Sequence, residues 1–600
     1  MRVFNILWVL LLSISYSDLI HAKDDQFKPK VVKTKNSEMQ WFQMFDDSAT
    51  LLRTFNLKLQ ISNNNGESWS DVKGIPDKIE YFNIDPNFSK YRAFAYVRNK
   101  NYFYMTVDLG KTWTKKQYTI PKELYNTDNQ PSCFVTTHAT NSEEMFLTCT
   151  ACRELSDEEI EKDRKNYDEN RKTEDDDPLQ EILDQLGDIF FKSKHSCEAF
   201  ILTSSDGGKN FQYIEAPYKI ADNEKIITFQ HGSQCEYARI NNESTVDVDE
   251  TTLVCNYQID QKSMNNKGGV TRSSQLYIIK GGKSQTIDFF NDMTITSFEV
   301  VKSFLIVITQ EDRFNRYSNK KIWISKDMKT FQQSYIPTDL TFNEMSYRLY
   351  EDSLGRIVIP ISKSTIEKGE EREDHLGNKY QTMTRNFEYN DVLVSDYTGL
   401  KFSDYDWIDR SADGRTTIEP IKYLKGTIIN SFRGRGIFGH NGKNNHKDDK
   451  PILDSSKISF DNGNTWDYLR VVDPENKDKY KCNIDDPETC SILSLNFYNS
   501  YDVPSAGVIV LSGVMNDGRN NYDDMGMTFV SRDGGKSWKK ALDFPTMSVV
   551  GDNGNVIVAI PFSPKSDGDP ESEFFYSLDQ GETWTEYQLE EALYPGILIN

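Results

Sequence analysis

Hydroxyl and carboxylate side chains recur along this sequence at one fixed spacing: Ser or Thr, any residue, Asp, any residue, Gly, two residues, then Trp. The pattern stands at Thr106-Asp108-Gly110-Trp113, Ser459-Asp461-Gly463-Trp466, Ser531-Asp533-Gly535-Trp538 and Ser577-Asp579-Gly581-Trp584. Ser62-Asn64-Gly66-Trp69 carries Asn for Asp, and Ser204-Asp206-Gly208-Phe211 carries Phe for Trp. Weaker copies lie at Ser325-Asp327-Phe331 and Ser395-Gly399-Phe402, and a ninth is expected around Ile279–Gly282. A carboxylate beside a hydroxyl could do acid–base work. Here the Gly and the aromatic point elsewhere. Ser and Asp side chains accept hydrogen bonds from turn amides, and Gly takes backbone angles that a side chain forbids. The aromatic folds back under the turn and buries a large apolar surface. These Asp boxes are therefore read as scaffold, their carboxylates committed to turns.

Other reactive groups form no catalytic set. The histidines of the mature chain, His138, His195, His231, His375, His440 and His446, are scattered. No Walker-type phosphate loop and no His-Glu-x-x-His helix occurs, and no cofactor is expected. His231, close to Cys235 on what reads as a surface loop, is a candidate for pH-linked binding. Of the eight cysteines, Cys235 with Cys255 and Cys482 with Cys490 are natural local pairs. The pairing of Cys133, Cys149, Cys152 and Cys197 stays open. Cys149-Thr-Ala-Cys152 has no second half for a zinc site and no βαβ context for a redox motif, so structural disulfides are expected. Asn87-Phe-Ser89 and Asn242-Glu-Ser244 are glycosylation sequons.

The elements that must hold the boxes are strands. Leu57, Leu59 and Ile61 alternate before the first box, and Phe574, Phe575 and Tyr576 make a β-rich run before the last. Trp69 to Trp113 is 44 residues and Trp538 to Trp584 is 46, the length of a four-stranded propeller blade. Longer intervals need insertions. The plainest is an acidic one at 153–196, charged and aromatic-poor, with Leu179, Ile182, Leu183 and Leu186 spaced like one face of a short helix. Asn441–Lys450 reads as a second polar loop. The fold class expected is all-β, a large propeller over residues 23–600.

Residues 1–22 read as a signal peptide: Arg2, an apolar run from Ile6 to Ile14, and Ala22 at the cleavage position. A signal anchor is the other reading. Later apolar runs, such as Phe304–Ile308 and Gly507–Leu511, are strand-sized, so no transmembrane helix is expected. A formal charge of −22, from 92 acidic and 70 basic residues, argues against nucleic acid as a partner.

With these features in place the sequence resembles the sortilin family, and within it the fungal vacuolar protein-sorting receptors for carboxypeptidase Y. Ile75-Pro76, Gln310-Glu-Asp-Arg-Phe-Asn315, Tyr350-Glu-Asp-Ser-Leu-Gly-Arg-Ile-Val-Ile-Pro360, Val471-Val-Asp-Pro474, the Cys482/Cys490 spacing and Gly554-Asn-Val-Ile-Val-Ala-Ile-Pro561 carry the likeness. The resemblance implies a ten-bladed propeller whose tunnel binds peptides. Nine boxes would leave the last blade incomplete. It also implies a type I receptor cycling between late Golgi and endosome with soluble vacuolar hydrolase precursors. The membrane helix of such a receptor would follow the propeller, and this chain ends at Asn600. In the family a basic tunnel residue just before an Asp box meets a ligand carboxylate. The matching stretch, Ser318-Asn-Lys-Lys-Ile-Trp-Ile-Ser325, makes Lys320 or Lys321 the candidate, although both would also suit an exposed strand edge. Asp boxes occur in sialidases too, and a secreted glycosidase is the alternative. It would need an arginine cluster and a Tyr–Glu pair. Leu52-Arg53-Thr54-Phe55 lacks the Arg-Ile-Pro signature, and Arg433 and Arg435 suit a turn.

Overall fold

The computed structural model describes residues 42–122, 132–154, 195–217, 228–241, 243–262, 270–291, 293–310, 320–336, 349–352, 354–373, 379–404, 416–421, 423–432, 456–473, 475–480, 482–488, 490–495, 505, 507–516, 526–561 and 571–593. The fold is all-β, of the propeller class, with nine four-stranded blades among the described residues. Blade 1 spans 42–71, blade 2 79–117, blade 3 132–214, blade 4 228–286 and blade 5 294–333. Blade 6 spans 350–404, blade 7 416–468, blade 8 491–542 and blade 9 546–593. Blade 9 has all four strands, ending in Thr585–Leu593, so the last box does not close an incomplete sheet. A tenth blade, which the resemblance implied, is not among the described residues.

Within a blade, consecutive strands pair antiparallel, as short hairpins allow. Among the described residues, two parallel strand pairings and two isolated parallel bridges, Tyr335 with Lys401 and Val471 with Trp538, join neighbouring blades. Glu198 and Ala199 of blade 3 face His231 and Gly232 of blade 4, and Phe432 of blade 7 faces Leu495 of blade 8. Several fourth strands are short and polar, such as Ser70–Asp71 and Gln332–Gln333, which blunts the open edge against pairing with another chain.

The described part of Met1–Arg98 with Phe103–Lys115 forms one compact unit, and that of Asn99–Tyr102 with Lys116–Asn600 the other. The first holds blade 1 and most of blade 2. In the second, the core is a series of apolar layers between consecutive blades. Ile306, Ile308, Ile322 and Ile324 of blade 5 pack with Ile357, Ile359, Leu393 and Phe402 of blade 6. Ile429 and Ile458 of blade 7 pack with Ile492, Ile509, Phe529 and Trp538 of blade 8. Each fully buried side chain of this size contributes about 1.5–3 kcal/mol relative to exposure. Alternation along each strand therefore serves two layers at once, one on each face of the blade.

The residues before the first box form a strand from Lys58 to Ser62 with Leu59 and Ile61 buried. Leu57 lies outside it, in a turn at φ 59 and half exposed, because the two-residue link to the preceding strand needs left-handed backbone at Asn56 and Leu57. Among the described residues, no helix is long and apolar enough to cross a membrane.

Candidate functional site: Asp-box hairpins and the Lys320–Lys321 strand

Each Asp box lies in the same place, the turn between the third and fourth strands of its blade. In blade 2, Thr106 Oγ1 donates to Asp108 Oδ1 (2.8 Å) and accepts the Gly110 N–H (3.0 Å). Asp108 accepts the Thr112 N–H (2.9 Å) and hydroxyl (2.6 Å), and Trp113 Nε1 donates to the Gly110 carbonyl (3.0 Å). Blades 7, 8 and 9 repeat all five bonds. Gly463, Gly535 and Gly581 amides donate to Ser459, Ser531 and Ser577 at 2.7, 2.8 and 2.8 Å. The indoles of Trp466, Trp538 and Trp584 donate to the glycine carbonyls at 2.9, 3.0 and 3.2 Å. Sequence reasoning missed one partner, the hydroxyl just before the Trp. Thr112, Thr465, Ser537 and Thr583 all donate to the second carboxylate oxygen. A Ser or Thr preceding every strict Trp was the available signal.

Electrostatics follow from this cage. Burial alone would raise the box carboxyls, but turn amides and hydroxyls outweigh it, and Asp108, Asp461, Asp533 and Asp579 all sit below the ordinary value. Asp206 is drawn down to about 2, chiefly by the Asn210 N–H and then by its side-chain amide. A carboxyl held this far down stays ionised and is no proton donor near neutral pH.

Imperfect boxes keep the turn by other means. In blade 1, Asn64 Oδ1 accepts the Ser68 N–H (3.1 Å) and, more loosely, its hydroxyl (3.3 Å), while the Asn64 amide donates to Ser68 Oγ (3.0 Å). Trp69 Nε1 is buried with no hydrogen-bond partner, and the Arg53 guanidinium lies 4.2 Å from its ring centre. Blade 3 keeps the Ser204–Asp206–Gly208 bonds (2.9 and 3.0 Å), with Phe211 edge-on to Tyr118. Blade 5 is one residue shorter, and Met328 at φ 57 donates its N–H to Ser325 Oγ (2.8 Å). In blade 6 the caging carboxylate is Asp396, which accepts the Leu400 N–H (3.1 Å), while Ser395 Oγ accepts the Ile357 N–H (2.8 Å). The ninth hairpin, in blade 4, is a bare two-residue turn, Gly281 and Gly282 at φ 55 and 72 between paired Lys280 and Lys283.

Lys320 and Lys321 open the third strand of blade 5, opposite Gln310 and Thr309, both half-buried. Cys235–Cys255 and Cys482–Cys490 are disulfides, the first across directly opposed strand residues. Cys133–Cys149 is a third, so Cys149 has no redox partnership with Cys152, and Cys152 stands opposite Cys197 in register. His231 lies in the strand Thr228–Tyr237 between Glu198 and Ile259, not on a surface loop, because the blade 3–blade 4 parallel pairing extends the sheet that far. His138 is fully buried. Its Nδ1 accepts the Thr140 and Asn141 N–H groups (3.2 and 3.0 Å), which fixes the proton on Nε2, 2.9 Å from the Glu250 carbonyl. It clamps blade 3 to a loop of blade 4. Residues 1–22, Leu179–Leu186, Asn242, His375, Arg433, Arg435, His440 and Asn441–Lys450 lie outside the described residues, as does most of 153–196. Among the described residues, no group of three His, Cys, Asp or Glu could hold a metal ion.

Comparison with known proteins matches residues 57–598 to the family described as "Sortilin, neurotensin receptor 3". Vacuolar protein sorting/targeting protein PEP1 of Saccharomyces cerevisiae (strain AWRI1631) is 36% identical over 99% of this chain and 35% of its own length. Vacuolar protein sorting/targeting protein 10 of Zygosaccharomyces rouxii is 34% identical over 96% of this chain and 33% of its own. An uncharacterized membrane glycoprotein of Saccharomyces cerevisiae, YNR066C, is 30% identical over 82% of this chain and 98% of its own. The chain thus spans about a third of the length of the vacuolar sorting relatives it matches. On the repeated box hairpins, the opposed cysteines and a match covering nearly every blade, this chain belongs to the sortilin–Vps10 family.

Proposed function

We propose that this chain is the lumenal ligand-binding propeller of a sorting receptor that carries soluble vacuolar hydrolase precursors, of the carboxypeptidase Y type, from late Golgi to endosome and vacuole. The observation that carries the reading is likeness along the whole chain to proteins named for vacuolar sorting. The chain acts by binding and not by catalysis. Asp boxes, the one motif shared with glycosidases, spend their carboxylates on turn amides. Residues 1–22 direct it into the secretory lumen and are removed, and Lys320 or Lys321 contacts the ligand as a point charge.

Purified residues 23–600 immobilised on a sensor should retain a hydrolase precursor from vacuolar extract and release it in high salt. The double substitution Lys320→Glu with Lys321→Glu should weaken retention without altering the circular dichroism spectrum. No retention by the intact domain would sink the receptor reading. Unchanged retention by the double variant would remove only the two lysines. Turnover of a fluorogenic sialoside would restore the glycosidase.

A further inference from the structure

We propose that Asn87 carries an N-linked oligosaccharide that is attached before blades 1 and 2 close on each other. The inference goes beyond the receptor reading and survives its failure, since it concerns only blades 1 and 2. Asn87-Phe88-Ser89 is an acceptor sequence, and Asn87 is exposed at the tip of the loop joining the first two strands of blade 2.

Position alone would make this an ordinary sequon. The surroundings of Ser89 do not. That loop is wound tight: the Phe88 N–H donates to the Asp85 carbonyl (3.2 Å), and the Tyr91 and Arg92 N–H groups donate to the Phe88 carbonyl (3.1 and 3.0 Å). A wholly buried ion pair, Arg92 with Asp85 (2.5 Å), closes its base, and the same guanidinium covers the Phe88 ring at 4.0 Å. Ser89 is then held from blade 1. Its hydroxyl donates to the Asp46 carboxylate and its carbonyl accepts the Asp46 N–H (3.2 Å), while Lys90 pairs with Asp47 (2.5 Å). The hydroxyl that the acceptor sequence requires is therefore spent on another residue in the folded chain, and the three sequon residues are coiled and not extended.

Transfer proceeds from a polyprenyl-diphosphate-linked oligosaccharide. The Asn87 carboxamide nitrogen attacks the anomeric carbon, the N–C bond forms, and the C–O bond to the diphosphate breaks. The lipid diphosphate leaves with the electron pair, and the amide proton passes to a carboxylate of the transferase. All of this needs an extended Asn87–Ser89 with a free hydroxyl, a state available only until Asp46, 43 residues earlier, has engaged Ser89. Once attached, the sugar stands beside the blade 2 box, because the Leu109 N–H donates to the Tyr91 carbonyl (3.1 Å). It would then shield that box loop from protein contact.

Two measurements decide the matter. Full-length chain secreted from yeast cells is trimmed with an endoglycosidase that leaves one sugar residue, and its peptides are weighed. The Asn87 peptide should be found with that residue attached, and Asn87→Gln should remove one glycan's gel shift. An Asn87 peptide recovered bare from secreted protein overturns the site. For the order of events, full-length chain made with lipid-linked donor synthesis blocked is offered to microsomal transferase. The native chain should be refused, whereas the reduced and denatured chain, and a synthetic peptide of residues 80–95, should be modified. Asp46→Ala, which frees the Ser89 hydroxyl but leaves the loop wound on Asp85 and Arg92, should be modified faster than the native wild-type chain and slower than the peptide. Native wild-type chain modified as fast as the peptide overturns the ordering, and a folded Asp46→Ala chain modified no faster than wild type overturns the part assigned to blade 1.

Discussion

Replacing Gly535 with Ala should cost far more than the same change at Gly74, and the difference isolates a contact between blades. Both glycines have left-handed backbone, φ +98 and +89. Putting a Cβ there costs about 1–2 kcal/mol at either site. At Gly74 nothing lies within 4 Å of the added carbon. At Gly535 it would overlap Ile458 Cδ1 of blade 7 and stand 3.5 Å from Ile509 Cδ1. Ile458 is 1% exposed and packed among Ile429, Ile492 and Trp538, so its terminal methyl has no empty space to enter. Overpacking of this kind adds about 1–3 kcal/mol. Gly535→Ala should then lose about 2–5 kcal/mol, the sum of the backbone and overpacking costs, against about 1–2 for Gly74→Ala. The assay is urea unfolding of the purified domain followed by tryptophan fluorescence, with Ile458→Val as the second arm. Removing the offending methyl should restore about 1–2 kcal/mol to Gly535→Ala while by itself costing about 0.5–1.5, a coupling that independent sites would not show. Equal losses at Gly535 and Gly74, or an Ile458→Val background that makes Gly535→Ala worse, would refute the contact.

The remaining predictions concern the boxes and the cysteines. Trp113→Phe should cost about 1 kcal/mol more than Trp69→Phe in the same unfolding assay, because only Trp113 gives up an Nε1 bond to a glycine carbonyl. Equal costs would show that the indole bond adds nothing. Asp206 is held at about 2, below its unfolded value of about 3.9, so its stabilisation is fully present above that unfolded value. It is lost as pH falls through about 2, and Asp206→Asn should flatten the decline of the melting temperature between about pH 4 and 2. An unchanged slope would mean the carboxylate is matched in the unfolded chain. Cys152 and Cys197, opposed in register as Cys133 and Cys149 are, should form a fourth disulfide. Non-reducing peptide mapping should recover them linked, and a free thiol at either would contradict it.

Repetition made much of this molecule readable in advance. A Ser-Asp-Gly-Trp turn is a local object. Its donors, acceptors and left-handed glycine lie within eight residues, so each box could be placed between two strands from spacing alone, and its carboxylate excluded from catalysis. The readable features stop where contacts become long-range. Nothing near Ser89 indicates that its hydroxyl will meet Asp46, and nothing near His231 indicates that a parallel pairing with Glu198 will draw it into a strand. Short apolar patterns also mark strand cores better than strand ends, which is why the alternation takes in Leu57 although the strand begins one residue later. Lys320 and Lys321 are singled out by resemblance, and they lie half-buried at the start of a strand.

One long-range rule becomes visible only when the blades are compared. In four neighbouring pairs the apolar residue just before the box hydroxyl occupies the place where a Cβ on the next blade's box glycine would project. These are Ile61 at Gly110 (3.0 Å from that Cβ), Ile324 at Gly399 (3.3 Å), Ile458 at Gly535 and Val530 at Gly581 (3.0 Å), whereas Gly208 and Gly282 meet Met145 and Gln212 instead. Two demands thus converge on the glycine. Its backbone angle forbids a side chain within its own turn, and the preceding blade fills the space where one would project. A propeller needs each sheet to meet its neighbour in a fixed register, and an apolar knob against a missing Cβ supplies that register at a point already immobilised by five hydrogen bonds. The box is then a blade-to-blade spacer as much as a turn. That accounts for its persistence where its carboxylate chemistry has changed, as in blade 6, where Asp396 has taken over the cage and Gly399 still receives Ile324.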